Sequence, residues 1–178
     1  MVLAAIVGVL SLPTAAQSAD GWKRQSLSQA QLSLELPGEP KAAESKLKEQ
    51  SKQFVEKQVT YQVTVPGVYV MISYTQYVEG IAVDLRRATD GAISSIKSQA
   101  GVTDAKFTTR EFQRDDKPGL SISGIYSKGG KGLAYDALII GAGRQLWQVG
   151  VGFSSSSNDG KNASRKVLGS VEVGREQK

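Results

Sequence analysis

The chain of 178 residues contains no cysteine and no histidine. Without cysteine it has no disulfide and no thiolate metal site, and without histidine it lacks the commonest metal ligand and the usual general base. The many serines therefore have no histidine to activate them as nucleophiles. Aromatic residues make up only 7% of the chain. We expect a protein that is not an enzyme and that binds neither a metal nor a cofactor.

Acidic residues are in the minority, with 17 Asp and Glu against 22 Lys and Arg, which gives a formal net charge of +5. A basic balance favours acidic partners such as nucleic acid, anionic lipid or an acidic protein face. The two signs are mixed along the chain, however, and no dense basic run occurs. This pattern indicates a solvated surface with a mild positive excess, and we expect no nucleic-acid partner.

The longest apolar run lies at the N-terminus, over residues 1–12. It is too short to span a bilayer as a mature helix but is typical of a signal peptide, and Pro13 and several small residues follow it. The alternative is a buried N-terminal strand or helix. We predict a signal peptide over residues 1–18 and a single domain over residues 19–178. The mature domain is expected to be exported to the periplasm or beyond the cell, soluble and monomeric, with no transmembrane span.

Residues 132–153 form two apolar runs on either side of a glycine-rich break, which is the sequence pattern of a β-hairpin. In the second run large apolar residues alternate with small or polar ones, so the two sets face opposite sides of a sheet. Gly150 and Gly152 leave bare backbone on one side, where we expect another element to pack closely. The residues of the other side are predicted core: Trp147, Val149, Val151 and Phe153.

A change of period predicts one long helix over residues 81–100. Apolar residues recur there at helical spacing, among them Leu85 and Ile96, which we expect in the core. Gly101 follows as a C-terminal stop. A weaker helix over residues 157–168 is predicted to cover the glycine face of the hairpin.

Runs of period two, or continuous apolar runs, predict the strands. Residues 41–57 fit either a Lys-rich edge strand or a weak helix, and the strand is preferred. Together these elements predict an α+β fold: a mostly antiparallel, twisted sheet of about six to eight strands with helices on both faces, an α/β/α sandwich. The predicted strands are 32–36, 59–65, 68–77, 103–112, 120–127, 132–140, 144–153 and 171–173.

Three short motifs resemble chemical sites without matching them. Residues 129–132 (GGKG) lack the spacing of a phosphate loop and join two strands. Residues 115–116 (DD) lie in a turn predicted over 115–119, where carboxylates are solvated. Residues 94–97 (SSIK) have the spacing of a Ser-Lys dyad but lie on the polar side of the predicted helix.

The sheet ends are the predicted interaction surfaces. In a meander of the last long strands, the turns at 115–119 and 141–144 share one end of the sheet. Basic residues at both ends, and a tryptophan near the mature N-terminus that could anchor a partner, are the candidate partner-binding residues. They are Lys117 and Arg144 at the first end, Lys128 and Lys131 at the opposite end, and Trp22.

The order of elements, with LELPGEP at 34–40, RQLWQVGV at 144–151 and GSVEV at 169–173, resembles one known superfamily. It is similar to the PsbP-like α/β/α sandwich superfamily, which includes the photosystem extrinsic subunit, DcrB-like bacterial envelope proteins and a Ran-binding import factor. The resemblance covers about residues 28–174. It implies a binding or accessory module, and the superfamily has no shared catalytic residues to carry over.

The first functional hypothesis is therefore an exported, non-enzymatic accessory or binding protein that contacts another protein or an envelope component. The second is a protein that binds a small apolar ligand in a pocket between the helix at 81–100 and the sheet, with Gly150 and Gly152 as its floor. The third is a hydrolase with an unrecognised Ser or Asp site.

Overall fold

A computed structural model describes residues 21–43, 47 and 49–174, so the signal peptide predicted over residues 1–18 lies outside the described residues. The described chain folds into two antiparallel sheets, two α-helices of more than one turn, a one-turn α-helix and a short 3-10 helix at Ser28–Ala30. The elements are β1 (Lys23–Leu27), β2 (Leu32–Leu36), β3 (Lys41–Ala43), α1 (Glu49–Lys52), β4 (Val55–Val65), β5 (Val68–Tyr77), α2 (Leu85–Lys97), β6 (Val102–Arg114), β7 (Lys117–Lys128), β8 (Lys131–Ala142), β9 (Gln145–Ser154), α3 (Asn158–Gly169) and β10 (Glu172–Val173).

The larger sheet has the strand order β3-β4-β5-β9-β8-β7-β6, and every neighbouring pair in it is antiparallel. The smaller sheet has the order β1-β2-β10. The predicted hairpin is therefore central: β9 pairs with β8 on one side and with β5 on the other. This confirms the prediction of a mostly antiparallel α+β fold, with the addition of a separate three-stranded sheet.

Alternate residues of the central strands belong to two different core clusters. The first cluster contains the predicted face of β9, whose residues Trp147, Val149, Val151 and Phe153 are all buried, and adds the leucines of β1 and β2 and the buried side of α3. The second cluster contains the opposite residues of β8 and the buried side of α2. Period two in the sequence therefore assigns these side chains to the correct clusters.

Gly150 lies beneath the ring of Tyr135. A Cβ at Gly150 would lie 2.3 Å from the Tyr135 hydroxyl, so the close packing predicted on this face comes from a side chain of the neighbouring strand. The prediction that the helix at 157–168 covers this face is wrong, because Ala163 and Val167 of α3 belong to the cluster of Trp147 on the other face. The helix whose buried residues share a cluster with Tyr135 is α2.

The long helix is shorter than the 81–100 predicted. Val83 donates its N–H to the carbonyl of Gly143 at 2.9 Å, which keeps the chain before the helix extended. Asp84 is the N-cap, since its side chain accepts from the N–H of Arg87 at 3.0 Å. Leu85 thereby becomes the first helical residue and is only half-buried, whereas Ile96 is fully buried as predicted.

Two other predicted segments are divided differently in the structure. Residues 41–57 are neither one strand nor one helix, because β3, the single turn α1 and the start of β4 all fall within the segment. The turn predicted over 115–119 contains only Asp115 and Asp116, both with positive φ. Pro118 lies in β7 instead, and the pairing of β7 with β8 begins at the next residue, so the missing N–H of Pro118 costs no hydrogen bond there.

The two glycines of α3 provide a stability test of its packing. A Cβ at Gly160 would lie 2.7 Å from the Cβ of Phe153, whereas one at Gly169 meets no atom within 4 Å. We expect Gly160→Ala to lower the free energy of unfolding by about 1–3 kcal/mol, because overpacking outweighs the gain in helix propensity. Gly169→Ala, the matched control, should be neutral or stabilising by up to about 1 kcal/mol. Urea denaturation measures both, and equal effects would contradict this packing.

Candidate functional site

The two hairpin turns predicted to share an end of the sheet do so. The Asp115–Asp116 turn and the Gly143–Arg144 turn both border one polar groove of about 850 Å³ between the main sheet and the smaller sheet. We call it the turn-end groove. Half of its lining residues carry neutral hydroxyl or amide groups, and three are charged. It is lined by Ser26, Ser28, Gln31, Leu32, Ser33, Gln76, Asp115, Arg144, Gln145, Glu172, Val173 and Gly174.

The wall of this groove is fixed by two residues at the end of β6. Arg114 donates to the carbonyls of Gly169 and Val171 at 3.1 and 3.0 Å, and so closes the C-terminal end of α3. Asp115 accepts from the N–H of Val173 at 2.9 Å and holds β10 in place. Both residues therefore fasten the smaller sheet and α3 to the main sheet.

Arg144 supplies the positive charge among the residues that line the groove, and the sequence had indicated it as a candidate. It forms an ion pair with Glu56, and it donates to the carbonyl of Tyr77 at 3.3 Å. Its side chain remains 39% exposed, so part of the guanidinium faces solvent. Lys117 is half-buried opposite Arg114 in the hairpin and does not line the groove.

The floor of the groove contains a buried amide that the sequence analysis missed. Gln145 is only 5% exposed, and its Nε2 donates to the Tyr74 hydroxyl at 3.0 Å and to Oε1 of Gln31 at 3.5 Å. Gln31 has a positive φ of 50°, and its carbonyl accepts from Gly174 at 2.8 Å. A polar residue at the start of an otherwise apolar strand was the available signal, because a buried amide needs partners.

The other predicted basic pair lies at the opposite end of the sheet, as expected. Lys128 donates from Nζ to Oε1 of Gln99 at 2.8 Å, which ties the hairpin to the segment after α2. Lys131 is exposed on the far side of the Gly129–Gly130 turn. The structure therefore separates the five candidates and does not gather them into one site.

Trp22 is less free than predicted. Its ring is half-buried against the first core cluster, and Nζ of Lys166 lies 4.5 Å from the ring centroid. A cation over an aromatic face contributes about 0.5–1 kcal/mol at an exposed site. The structure thus gives Trp22 a role in the contact between the smaller sheet and α3.

A second groove of about 610 Å³ lies between the start of α2 and the hairpin of β6 and β7. Leu85 and Leu120 supply apolar surface, and Arg86 and Glu111 face each other across it at 3.7 Å. The sequence predicted a ligand pocket between this helix and the sheet with Gly150 and Gly152 as its floor. The predicted floor is wrong, because neither glycine lines this groove. The remaining lining residues are Phe112, Gln113, Pro118 and Gly119.

Three tyrosines on the α2 side of the sheet form a cluster that sequence reasoning also missed. Burial raises the pKa of Tyr126 to about 12, and burial together with Tyr126 and Tyr69 raises the pKa of Tyr135. The hydroxyls of Tyr69 and Tyr126 are buried and have no hydrogen-bond partner among the described residues. Gly150 on the neighbouring strand leaves room for the ring of Tyr135, and a glycine beside a tyrosine-bearing strand was the signal in the sequence.

Within the described ranges, no group of three Asp or Glu side chains could hold a metal ion. In the same part of the chain, no helix is long and apolar enough to cross a membrane.

This arrangement of an antiparallel sheet, a second small sheet and packed helices defines an α/β sandwich. No protein-family profile matches the chain, and no curated protein matches it. Among solved structures the chain is similar to cyanobacterial PsbP (CyanoP) from Synechocystis sp. PCC 6803, with a TM-score of 0.58 at 13% identity over 89% of this chain and 98% of that chain. The chain has a PsbP-like fold, as the resemblance implied.

Two further structures are similar at lower scores. One is a protein of Bacteroides thetaiotaomicron VPI-5482, with a TM-score of 0.50 at 13% identity over 86% of this chain. The chain spans only 49% of the length of that protein. The other is LpqN of Mycobacterium tuberculosis, described as involved in cell envelope biogenesis, with a TM-score of 0.46 at 12% identity over 93% of this chain and 83% of that chain.

The buried tyrosines predict a loss of stability in alkali. In the unfolded chain a tyrosine has a pKa near 10, whereas burial raises the pKa of Tyr77 and Tyr126 to about 12. Between these values the unfolded chain releases protons that the folded chain keeps, so the free energy of unfolding falls as pH rises from about 10 to about 12. Below pH ~10 their contribution is fully present.

Tyr126→Phe tests this account. It removes one titrating group, and we expect it to reduce the alkaline loss by on the order of 2 kcal/mol in urea titrations at increasing pH. At neutral pH it should be neutral or stabilising, because the hydroxyl it removes has no hydrogen-bond partner among the described residues. A variant that loses stability as steeply as the wild type would show that Tyr126 is not responsible.

Proposed function

We propose that this chain is an exported, non-enzymatic accessory protein that binds another protein or an envelope component through the turn-end groove. The observation that carries the proposal is the convergence of two hairpin turns and the smaller sheet on one groove of about 850 Å³. Turns held by a rigid sheet are common positions for binding residues. Support for export is the signal peptide predicted over residues 1–18.

The side chains that line the groove suit a partner with a polar surface. Hydroxyl and amide side chains can both donate and accept hydrogen bonds, and Arg144 adds a cation with donors that face solvent. Gln145 is held by two partners, so the floor is pre-organised before any partner arrives. A fixed floor lowers the entropic cost of binding, which favours a specific contact over adventitious adhesion.

We also infer the layer order of the sandwich from the core clusters. Residues Ala137 and Ile139 of β8 share a cluster with α2, whereas Leu138 and Ile140 share one with α3 and the smaller sheet. Neighbouring residues of a strand point to opposite faces, so the two helices are inferred to lie on opposite sides of the main sheet. The turn-end groove then belongs to the side of the smaller sheet.

A capture experiment with charge-reversed variants tests the proposed surface. Immobilised full-length protein is incubated with a solubilised envelope fraction, and captured proteins are quantified by mass spectrometry. We expect a defined partner that Arg144→Glu loses by about tenfold or more, since a reversed charge in a binding groove costs at least about 1.4 kcal/mol. Arg87→Glu, on the exposed side of α2, is the matched control and should capture as the wild type does.

Thermal denaturation of both variants first establishes that they are folded. Equal capture by the wild type and Arg144→Glu would show that the turn-end groove is not the binding surface. Loss of capture by Lys128→Glu/Lys131→Glu alone would place the surface at the opposite end of the sheet instead.

A second candidate function is the binding of a small apolar ligand in the groove at the start of α2. The specific observation is its size of about 610 Å³ and its apolar surface from Leu85 and Leu120. That volume lies within the usual range of ligand sites. A screen for ligands that raise the melting temperature tests it, and Leu120→Glu should abolish any such rise.

A further inference from the structure

One strip of the main sheet's surface is left uncovered beside α3. Along β6 and β7, the residues on the same side as α3 are paired in register, Thr108 with Ser123 and Lys106 with Ile125. Beside Ile125, Ala134 of β8 and Phe153 of β9 are buried in the first core cluster, whereas Ile125 itself is 54% exposed. A single exposed apolar side chain is normal on a protein surface, so the charges around Ile125, rather than its exposure, indicate a binding site.

Two cations border this strip on the β6 side. Lys106 and Arg110 are both exposed, and the register places them on the same side of the sheet as Ile125 and Ser121. Within the described residues neither one has an ion-pair partner. Both charges are therefore available to a ligand.

Two further cations border it on the α3 side. Ser164 donates to Oδ2 of Asp136 at 2.8 Å, and Ser123 of β7 donates to Oδ1 of the same carboxylate at 2.7 Å. This flank of α3 therefore faces β7. Lys161 lies one helical turn before Ser164 on the same flank and Arg165 lies one turn after Lys161, and both are exposed.

The cations of this surface, which we call the basic ledge, outnumber the carboxylate of Asp136 that lies between them. Asp136 keeps its negative charge while it accepts from the two serine hydroxyls, so it offsets one of the four positive charges and leaves an excess. In the part of the chain that the structure describes no acidic side chain pairs with Lys161 or Arg165, and Arg165 donates to the neutral Oδ1 of Asn162 at 3.4 Å. On the opposite flank of the same helix, by contrast, Lys166 pairs with Glu35 at 3.1 Å. The basic ledge consists of Lys106, Arg110, Lys161 and Arg165 around Thr108, Ser121, Ser123 and Ile125.

We propose that the basic ledge binds an extended acidic segment of a protein partner. An extended chain points successive side chains to opposite sides, so its carboxylates can reach the cations of β6 on one side and those of α3 on the other. The hydroxyls of Thr108, Ser121 and Ser123 between the two rows already donate within the protein, so their oxygens can accept from the backbone N–H groups of the segment. Ile125 offers contact to an apolar side chain. This surface is distinct from the turn-end groove and goes beyond the function proposed for it.

The same surface fits other polyanions less well. Single-stranded nucleic acid is held by aromatic rings on which its bases stack, and the side chains that form the ledge include no ring. A flat membrane would meet α3, which stands above the sheet, before it reached Ser123 and the other hydroxyls of β7. An extended segment can lie alongside the helix and use both rows of cations.

Fluorescence anisotropy with defined probes tests the proposal. The probe is a labelled peptide of alternating Glu and Ser, about eight residues long and so roughly 27 Å when extended. The full-length protein should bind it at ~0.05 M salt and bind it much less at ~0.3 M salt, since exposed charges are screened. A Gln-Ser peptide of equal length should not bind.

Charge reversal locates the binding. Lys106→Glu/Arg110→Glu on β6 and Lys161→Glu/Arg165→Glu on α3 should each weaken binding by about tenfold or more, because each leaves one row repulsive. Arg87→Glu/Lys97→Glu on α2 changes the net charge equally and should keep the affinity within about twofold. The two rows lie on different elements, so misfolding of one variant leaves the other as a test.

Three results would overturn the proposal. The first is no binding of the Glu-Ser peptide by the wild type, and the second is binding that all ledge variants retain. The third is tighter binding of phosphatidylglycerol vesicles or of oligothymidylate than of the peptide, which would identify a lipid or nucleic-acid surface. None of these outcomes depends on the turn-end groove.

Discussion

Trp147 joins the two sheets, and much of the described structure depends on that contact. Its indole Nε1 donates to the carbonyl of Ala30 at 2.7 Å, across the boundary between the main sheet and the smaller one. The ring is 1% exposed and lies 5.5 Å from the ring of Tyr74, tilted by 44°. A buried indole that lacked this partner would carry an unsatisfied donor, so the hydrogen bond fixes where the smaller sheet sits.

The candidate functional site follows from this junction. Ala30 precedes Gln31, whose side chain reaches Gln145 and whose carbonyl anchors Gly174 in the chain after β10. The turn-end groove is the space between the smaller sheet and the two hairpin turns, and these contacts hold the smaller sheet in the position that leaves this space. Arg114 and Asp115 add contacts to α3 and β10 from the main sheet. Displacement of the smaller sheet would therefore open the groove without disrupting the central hairpin.

Period and turn chemistry were enough to predict most strands and the face of β9 that carries Trp147 and Val149. The start of α2 was predicted wrongly, because the bond from Val83 to Gly143 is a long-range contact that no local pattern contains. The same reason explains why the helix at 157–168 was assigned to the wrong face of the hairpin. The residues that line the groove and the basic ledge are far apart in sequence, so no local pattern predicts that they meet. Arg110 and Lys161, for example, are 51 positions apart, and the chain therefore forms a basic surface although it has no dense basic run.

The junction at Trp147 is tested most directly by hydrogen exchange in Trp147→Phe, which removes the indole donor. We expect the amides of β1 and β2 to exchange at least about tenfold faster while those of β7 and β8 change much less, because only the smaller sheet loses its anchor. Val149→Ala, in the same core, is the control and should weaken protection without singling out the smaller sheet. Equal acceleration in both sheets of Trp147→Phe, or none in the smaller one, would contradict the account.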